Sequence, residues 1–273
     1  MSRAGPVLEW LQEAFEIYVK TGDHPRAVQV ARTPYVVGLG RTGTSRVRQR
    51  NQQLASIRQR ALKLVTPGSC EHGHLLCDYA LAAYHANPRG NQAEQSLNQA
   101  ATVCASCTER GLELRISATR AHVFSQQFRN SESLAASRVA LELLPGTEAP
   151  FARYEALYYA AASGFFTMDA GVLGEYSALA LAAARALRET RTIGEALVLS
   201  RLWHLSTGDR QQARREAEEA AVVSPELDQA YHASTVHLLL SVLEAGYWGD
   251  PEVKPMADQL AVSIDAAEPA TYL

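Results

Sequence analysis

The chain has 273 residues, of which 47% are hydrophobic, 20% charged and 7% aromatic, with a formal net charge of −3. That length and apolar content can supply a sizeable core and exclude a natively disordered chain. The near-neutral balance gives no global reason to expect nucleic acid or an anionic membrane surface as a partner.

Alanine and leucine dominate, while runs of Val, Ile and Thr at period two are almost absent, so an all-α fold is expected. The longest apolar stretches, such as Tyr158–Phe166, are far too short to span a bilayer. The opening MSRAGPVLEW lacks the charged-then-apolar order of a signal peptide. Four cysteines in a chain this size argue against a disulfide scaffold. A cytoplasmic protein is the expectation.

Turn signals fall at short intervals, and the segments between them carry helical periodicity. Val7 to Thr21 places Leu8, Leu11, Phe15 and Tyr18 on one stripe, widened by Trp10, Ala14 and Ile17. Gly22-Asp23 makes a turn, and Pro25 opens a second helix ending near Arg32. Pro34 to Gly43 reads as a loop, followed by a basic helix from Ser45 to Val65 that Thr66-Pro67-Gly68 closes. Helices are then expected at His72–Ala86, Asn91–Arg110, Leu112–Gln126 and Ser131–Leu144, before the Pro145-Gly146 stop. Further helices are expected at Phe151–Phe166, Ala170–Arg188, Thr192–Ser206, Asp209–Val223, Leu227–Tyr247 and Lys254–Ala266. That makes about thirteen helices in six or so hairpins, with no linker or composition shift to divide them.

The stretch from Glu195 to Pro225 carries the repeat most clearly. Thr207-Gly208-Asp209 turns the chain, Ala213 and Ala220 allow close helix packing, and Pro225 stops the second helix. Gly22 and Ala27 repeat the offset of Gly208 and Ala213, and Ala140 precedes Pro145 as Ala220 precedes Pro225. The two prolines lie 80 residues apart, which suits two repeats of about 40 residues. This pattern resembles a tetratricopeptide (TPR) repeat, although Ala217 replaces the usual large aromatic and His204 the usual tyrosine. The expectation is one TPR-like α-solenoid spanning 1–273. The end at Ala270-Thr-Tyr-Leu273 offers no polar capping helix, which suggests a fragment or an end covered by a partner.

Four clusters invite chemical readings. Gly38-Leu-Gly-Arg-Thr-Gly43-Thr-Ser45 has the glycine spacing of a nucleotide-binding turn, but Thr44 stands where a phosphate-loop lysine belongs. No Asp or Glu occurs between Thr33 and Cys70, so the acidic ribose partner is missing and an inter-repeat loop is the reading. The same acid-free window holds Arg41, Arg46, Arg48, Arg50, Arg58, Arg60 and Lys63, a basic docking surface for an acidic segment or for phosphates. With no interleaved aromatic to stack bases, direct nucleic-acid binding is not the expectation, and a solvated helix face is the ordinary explanation.

Cys70, His72, Cys104 and Cys107 form a candidate zinc set, because an antiparallel hairpin turning near Pro88 would bring them together. His74 and Cys77 add to the local density, but the first cluster lacks the usual cysteine gap, so helix packing is the default and no cofactor is expected. His204, His232 and His237 lie among apolar residues, and Glu216, Glu218 and Glu219 with Arg214 and Arg215 read as a solvated, ion-paired helix face. No nucleophile setting or carboxylate pair stands out, so no enzyme is expected.

Beyond the repeat, Ala14–Ala31, Gly38–Ser45 and Ala61–Leu76 are similar to segments of the helical-repeat region of bacterial LuxR-type and cyclase-linked multidomain ATPase regulators. The cysteines and histidines after Pro67 depart from that pattern. The resemblance implies a sensor or scaffold portion, with neither the ATPase nor the DNA-binding module. Its partner would be a protein segment, a small effector, or the ATPase or DNA-binding module of the same regulator. Recognition is expected on a concave face. Trp10, Tyr18, Tyr158, Tyr159, Trp203 and His204 are the candidate contacts, with core packing the ordinary reading of each.

Overall fold

The computed structural model describes residues 4–33, 45–107, 109–145, 149–224, 254, 255, 257 and 258. Eleven helices are assigned within them, with no strand among the described residues. Two helices, α1 (Ala4–Lys20) and α2 (His24–Arg32), form the first hairpin, and α3 (Ser45–Ala61) packs on the next. Four hairpins follow: α4 (Cys70–Ala86) with α5 (Gln92–Cys104), and α6 (Arg110–Gln126) with α7 (Asn130–Leu143). The others are α8 (Pro150–Phe166) with α9 (Ala170–Leu187), and α10 (Thr190–Ser206) with α11 (Arg210–Val223). The nucleotide-like loop and the expected helices 227–247 and 254–266 lie wholly or largely outside the described residues, as do His232 and His237.

Most helix limits fall within two residues of the periodicity; α1 begins three residues early, at Ala4, and two helix ends fall well short. The basic helix stops at Ala61 because Lys63 and Leu64 donate to carbonyls three residues back, tightening the chain into turns. α5 stops at Cys104, six residues short of Arg110, where the amide and hydroxyl of Ser106 both donate to the Val103 carbonyl. That early end puts Cys107 in a connection outside the helix.

The turn inside four of the five hairpins, all but α4–α5, is one motif used repeatedly. Gly22, Phe128, Met168 and Gly208 all adopt positive φ, between 57° and 81°. At each, the next amide donates back to the carbonyl five residues earlier: Asp23 to Tyr18, Arg129 to Phe124, Asp169 to Gly164 and Asp209 to His204. Asp23, Asp169 and Asp209 then cap the following helix by accepting from the amides of Arg26, Val172 and Gln212. One residue thereby closes the first helix and opens the second.

Glycine suits that left-handed position, yet Phe128 and Met168 occupy it with side chains 70% and 88% exposed. Met168→Gly is expected to stabilise the protein by about 1 kcal/mol, the strain relieved exceeding the entropy added to the unfolded chain. A melting point raised by about 2 °C checks this, and an unchanged or lowered one contradicts it.

The core is a series of clusters, each shared by neighbouring hairpins. Leu8, Phe15, Val28, Leu54, Ile57 and Leu75 join α1 to α4, and Leu76, Leu97, Leu112 and Val123 join α4, α5 and α6. Leu114, Ala140 and Ala156 carry the series into α8, while Leu157, Leu173, Tyr176 and Leu199 extend it to α10. Each hairpin buries its apolar stripe against the next. The first helices also touch in turn, α4 to α6, α6 to α8 and α8 to α10. That side-by-side row positions the site.

Candidate ligand-binding site

Polar residues interrupt the apolar runs of the row at a regular spacing. Asn51 and Arg58, Asp78 and His85, and Arg115 and His122 are each seven residues apart, two turns along one helical stripe. Arg115, Glu155 and Glu195 follow one another at intervals of 40. These side chains converge with Phe151, Tyr154, Tyr158, Tyr159 and Arg191 around a cavity of about 130 Å³ lined by α3, α4, α6, α8 and α10.

Asp78 sits at the centre of the charge. Its Oδ1 accepts from Arg115 Nη2 at 2.9 Å, and its Oδ2 lies 3.7 Å from Arg32 Nε. Glu155 stands further off, 3.8 Å from both Arg115 Nη1 and His122 Nδ1. Burial opposes the charge on Arg115, but Asp78 and Glu155 outweigh it and hold the guanidinium firmly protonated. Arg58, only 4% exposed, donates to backbone carbonyls, Nη1 to Asp78 at 2.7 Å and Nε to Ala31 at 3.2 Å. Burial pulls its pKa down to about 10 against the attraction of Asp78. Across the cavity, Arg191 Nε donates to Glu195 Oε1 at 2.9 Å, and the Tyr154 hydroxyl contacts Glu195 Oε2 at 3.2 Å. Burial raises the Glu195 carboxyl and, more strongly, the Tyr154 phenol.

Rings run through the wall in sequence. His85 meets His122 at 5.3 Å, His122 meets Tyr159 at 4.6 Å, and Tyr159, Tyr158 and Tyr154 continue at 5.2 and 5.7 Å. Asn51 Nδ2, His85 Nδ1 and both ring nitrogens of His122 are buried without a hydrogen-bond partner. Buried polar atoms are normally satisfied, so four such atoms around one cavity mark it as built for polar contacts.

His85 gives this site a pH signature. Burial, helped by His122 and Arg58, lowers its pKa to about 3. Above its unfolded value the ring is neutral in both states, so its contribution is constant. Below about pH 6.5 the unfolded chain takes up a proton that the folded state refuses, and stability falls until pH nears the folded pKa. The expected loss is on the order of 2 kcal/mol by pH 5, read from urea unfolding at each pH. His85→Leu should flatten that slope, and an equal slope in the variant would remove His85 as the cause.

Of the six aromatic and His positions picked out from sequence, the structure brings Tyr158 and Tyr159 to the cavity. Trp10 is 66% exposed on α1, while Tyr18 packs against the first core cluster. Trp203 covers Gly174, where an added Cβ would come within 2.7 Å of the indole. His204 lies 3.5 Å from Glu216 Oε1 on α11. These four do not line the cavity. Asp78, Arg115, His122, Glu155 and Glu195 do, and the signal for them was a charge or imidazole inside an apolar helix at repeat spacing.

The basic segment is no continuous surface. Arg58 is buried in the cavity wall and Arg60 pairs with Glu16 of α1. Arg48 and Lys63 are exposed and Arg50 half-buried, while Arg41 and the Arg46 side chain lie outside the described residues. The acidic face of α11 also divides. Glu216 is buried, accepting from Ser200 Oγ at 2.8 Å; Glu219 reaches Arg185 of α9, and Arg214 and Glu218 form the exposed pair.

Cys70 and Cys107 are joined in a disulfide, with Cα atoms 5.6 Å apart. Bonded sulfurs offer no thiolate, so in this oxidised state the pair does not ligate zinc. Among the described residues the ligand atoms that converge belong to Cys70, Cys107 and Glu109, without His72 or Cys104. His72 Nδ1 accepts from the Gly68 amide at 3.3 Å, His74 Nε2 lies 3.0 Å from Glu109, and Cys104 is a free thiol beside the core. Burial raises the Cys77 thiol to about 12, as suits an inert packing residue.

No protein-family model matches the chain, and no curated protein matches it either. No helix among the described residues is long and apolar enough to cross a membrane.

Proposed function

We propose that this chain is a non-catalytic, TPR-like helical-repeat receptor that binds a protein segment or small effector on the row α3, α4, α6, α8 and α10. The observation that carries this reading is the cavity in that row, with buried polar atoms left unpaired around it. Repeat arrays present the first helices of successive hairpins side by side, which favours recognition there. The serial core clusters support the solenoid reading, since each hairpin is buried by its neighbours. We read the chain as the sensor or interaction portion of a bacterial transcriptional or signalling regulator, working in the cytoplasm beside an ATPase or DNA-binding module. Ligand binding would bias the array between packings and so act on the attached module.

The test is a thermal-shift screen of metabolite and short-peptide libraries, run in parallel on the natural chain and on Tyr158→Arg. The half-buried Tyr158 lines the cavity, and arginine there would obstruct it. The expected result is a compound or peptide that stabilises the natural chain and loses its effect on the variant. Stabilisation undiminished in the variant, or none from either library, would sink the reading.

A further inference from the structure

Resting on the reading of this row as a ligand-binding face, we infer that the cavity takes a small aromatic carboxylate, its ring beside Tyr154, Tyr158 and Tyr159 and its carboxylate on Arg58. Size sets the first limit. About 130 Å³ is close to the roughly 150 Å³ known to hold a benzene ring, so one ring with a small substituent fits and a fused polycycle does not. The wall sets the second, because the tyrosines and the two imidazoles give a planar ligand faces and edges to stack on.

Charge sets the third. At the α3, α4 and α6 end, the lining guanidiniums of Arg58 and Arg115 balance the carboxylates of Asp78 and Glu155. Arg32 of α2, outside the lining but 3.7 Å from Asp78, brings an excess of one positive charge. Arg191 and Glu195 cancel at the opposite end, where Glu189 lines the solvent-exposed rim and leaves that end negative, so a carboxylate is directed to the Arg58 end. Within the positive end, Asp78 already serves Arg32 and Arg115, whereas Arg58 binds only main-chain oxygens. Three of the five guanidinium N–H donors therefore remain for a ligand, and a planar carboxylate matches their fork. The unpaired Asn51 amide nitrogen adds a donor, and His122 Nε2 adds a further polar atom, its Nδ1 facing Glu155. Glu155 carries the nearest opposing charge, already held between Arg115 and His122.

Ligand-observed NMR and calorimetry with four probes test this: benzoate, benzyl alcohol, benzylamine and acetate. Benzoate is expected to bind at least about tenfold tighter than benzyl alcohol, with acetate and benzylamine weaker still. Arg58→Gln should lower benzoate affinity about tenfold while leaving benzyl alcohol within about twofold. Because Arg58 also anchors the Ala31 and Asp78 carbonyls, Asn51→Leu is the second variant, expected to weaken benzoate by a few-fold at unchanged helicity. The dipeptide Gly-Phe separates two sources of the same chemistry: tighter than benzoate assigns a peptide C-terminus, weaker assigns a free small acid.

Equal or better binding of benzyl alcohol or benzylamine overturns the carboxylate assignment and leaves the cavity standing as a ligand site. Benzoate binding unaltered in a folded Arg58→Gln or Asn51→Leu chain overturns it too. No binding of any ring-bearing probe removes this inference, while the library screen decides the broader reading by itself.

Discussion

Asp78→Ala is expected to destabilise the protein by about 3–5 kcal/mol, the range found when one partner of a buried ion pair is removed. The carboxylate is nearly enclosed and receives Arg115 at 2.9 Å with Arg32 at 3.7 Å, while Arg58 bonds the carbonyl of the same residue. Removing it leaves three guanidiniums close together with Glu155 alone to oppose them, 3.8 Å from Arg115. Alanine also leaves a void, but the uncompensated charge dominates, because a truncated carboxylate removes little apolar surface. Urea unfolding should show a lower midpoint at unchanged slope. The double variant Asp78→Leu with Arg115→Met should recover part of the loss, since the closest pair goes as a unit while Arg32 and Glu155 each still lose a partner. A loss below about 1 kcal/mol for Asp78→Ala would mean that the network is hydrated and contributes little.

Charge placement also explains how much of this molecule was legible in its sequence. Helices were readable because Leu8, Leu11, Phe15 and their equivalents repeat at helical spacing, and because Gly22 and Gly208 announce the turns. The equivalent turns at Phe128 and Met168 carry no such signal, since a left-handed residue other than glycine leaves no mark on composition. The cavity was half legible. Tyr158 and Tyr159 stand out as adjacent aromatics in an apolar helix, whereas Asp78, Arg115 and Glu155 look singly like surface charges. Only their recurrence, with Arg115, Glu155 and Glu195 at intervals of 40, reveals that they share one face. Arg58 was misread for the same reason: a helix with five basic residues hides the one that faces inward. Glu216 was hidden likewise among the charges of α11, because the partner that buries it, Ser200, lies on another helix.

Reducing the disulfide, or replacing Cys70 by serine, is expected to lower stability by about 3–4 kcal/mol, from the entropy the bond removes from the unfolded chain. The bridge closes a loop of sequence separation 37, which includes all of α4 and α5 and the turn between them. Its placement ties the effect to the cavity. Cys70 begins α4 eight residues before Asp78, and Cys107 precedes α6 eight residues before Arg115. The covalent tie therefore stands at matching distances from the two residues whose ion pair joins those helices, and it favours the offset that aligns them. In a reducing compartment the tie opens, and the Asp78–Arg115 contact holds the alignment with the shared apolar core alone. A melting point lowered by about 10 °C in reductant, with Cys70→Ser matching it and insensitive to reductant, is the expected pattern. Cys104→Ser should keep the full reductant-dependent drop, since its thiol is outside the bridge. A drop that disappears in Cys104→Ser would instead show that Cys70 pairs with Cys104 and not with Cys107. No change on reduction of the natural chain would mean that α4 and α6 hold their offset through packing and the ion pair alone.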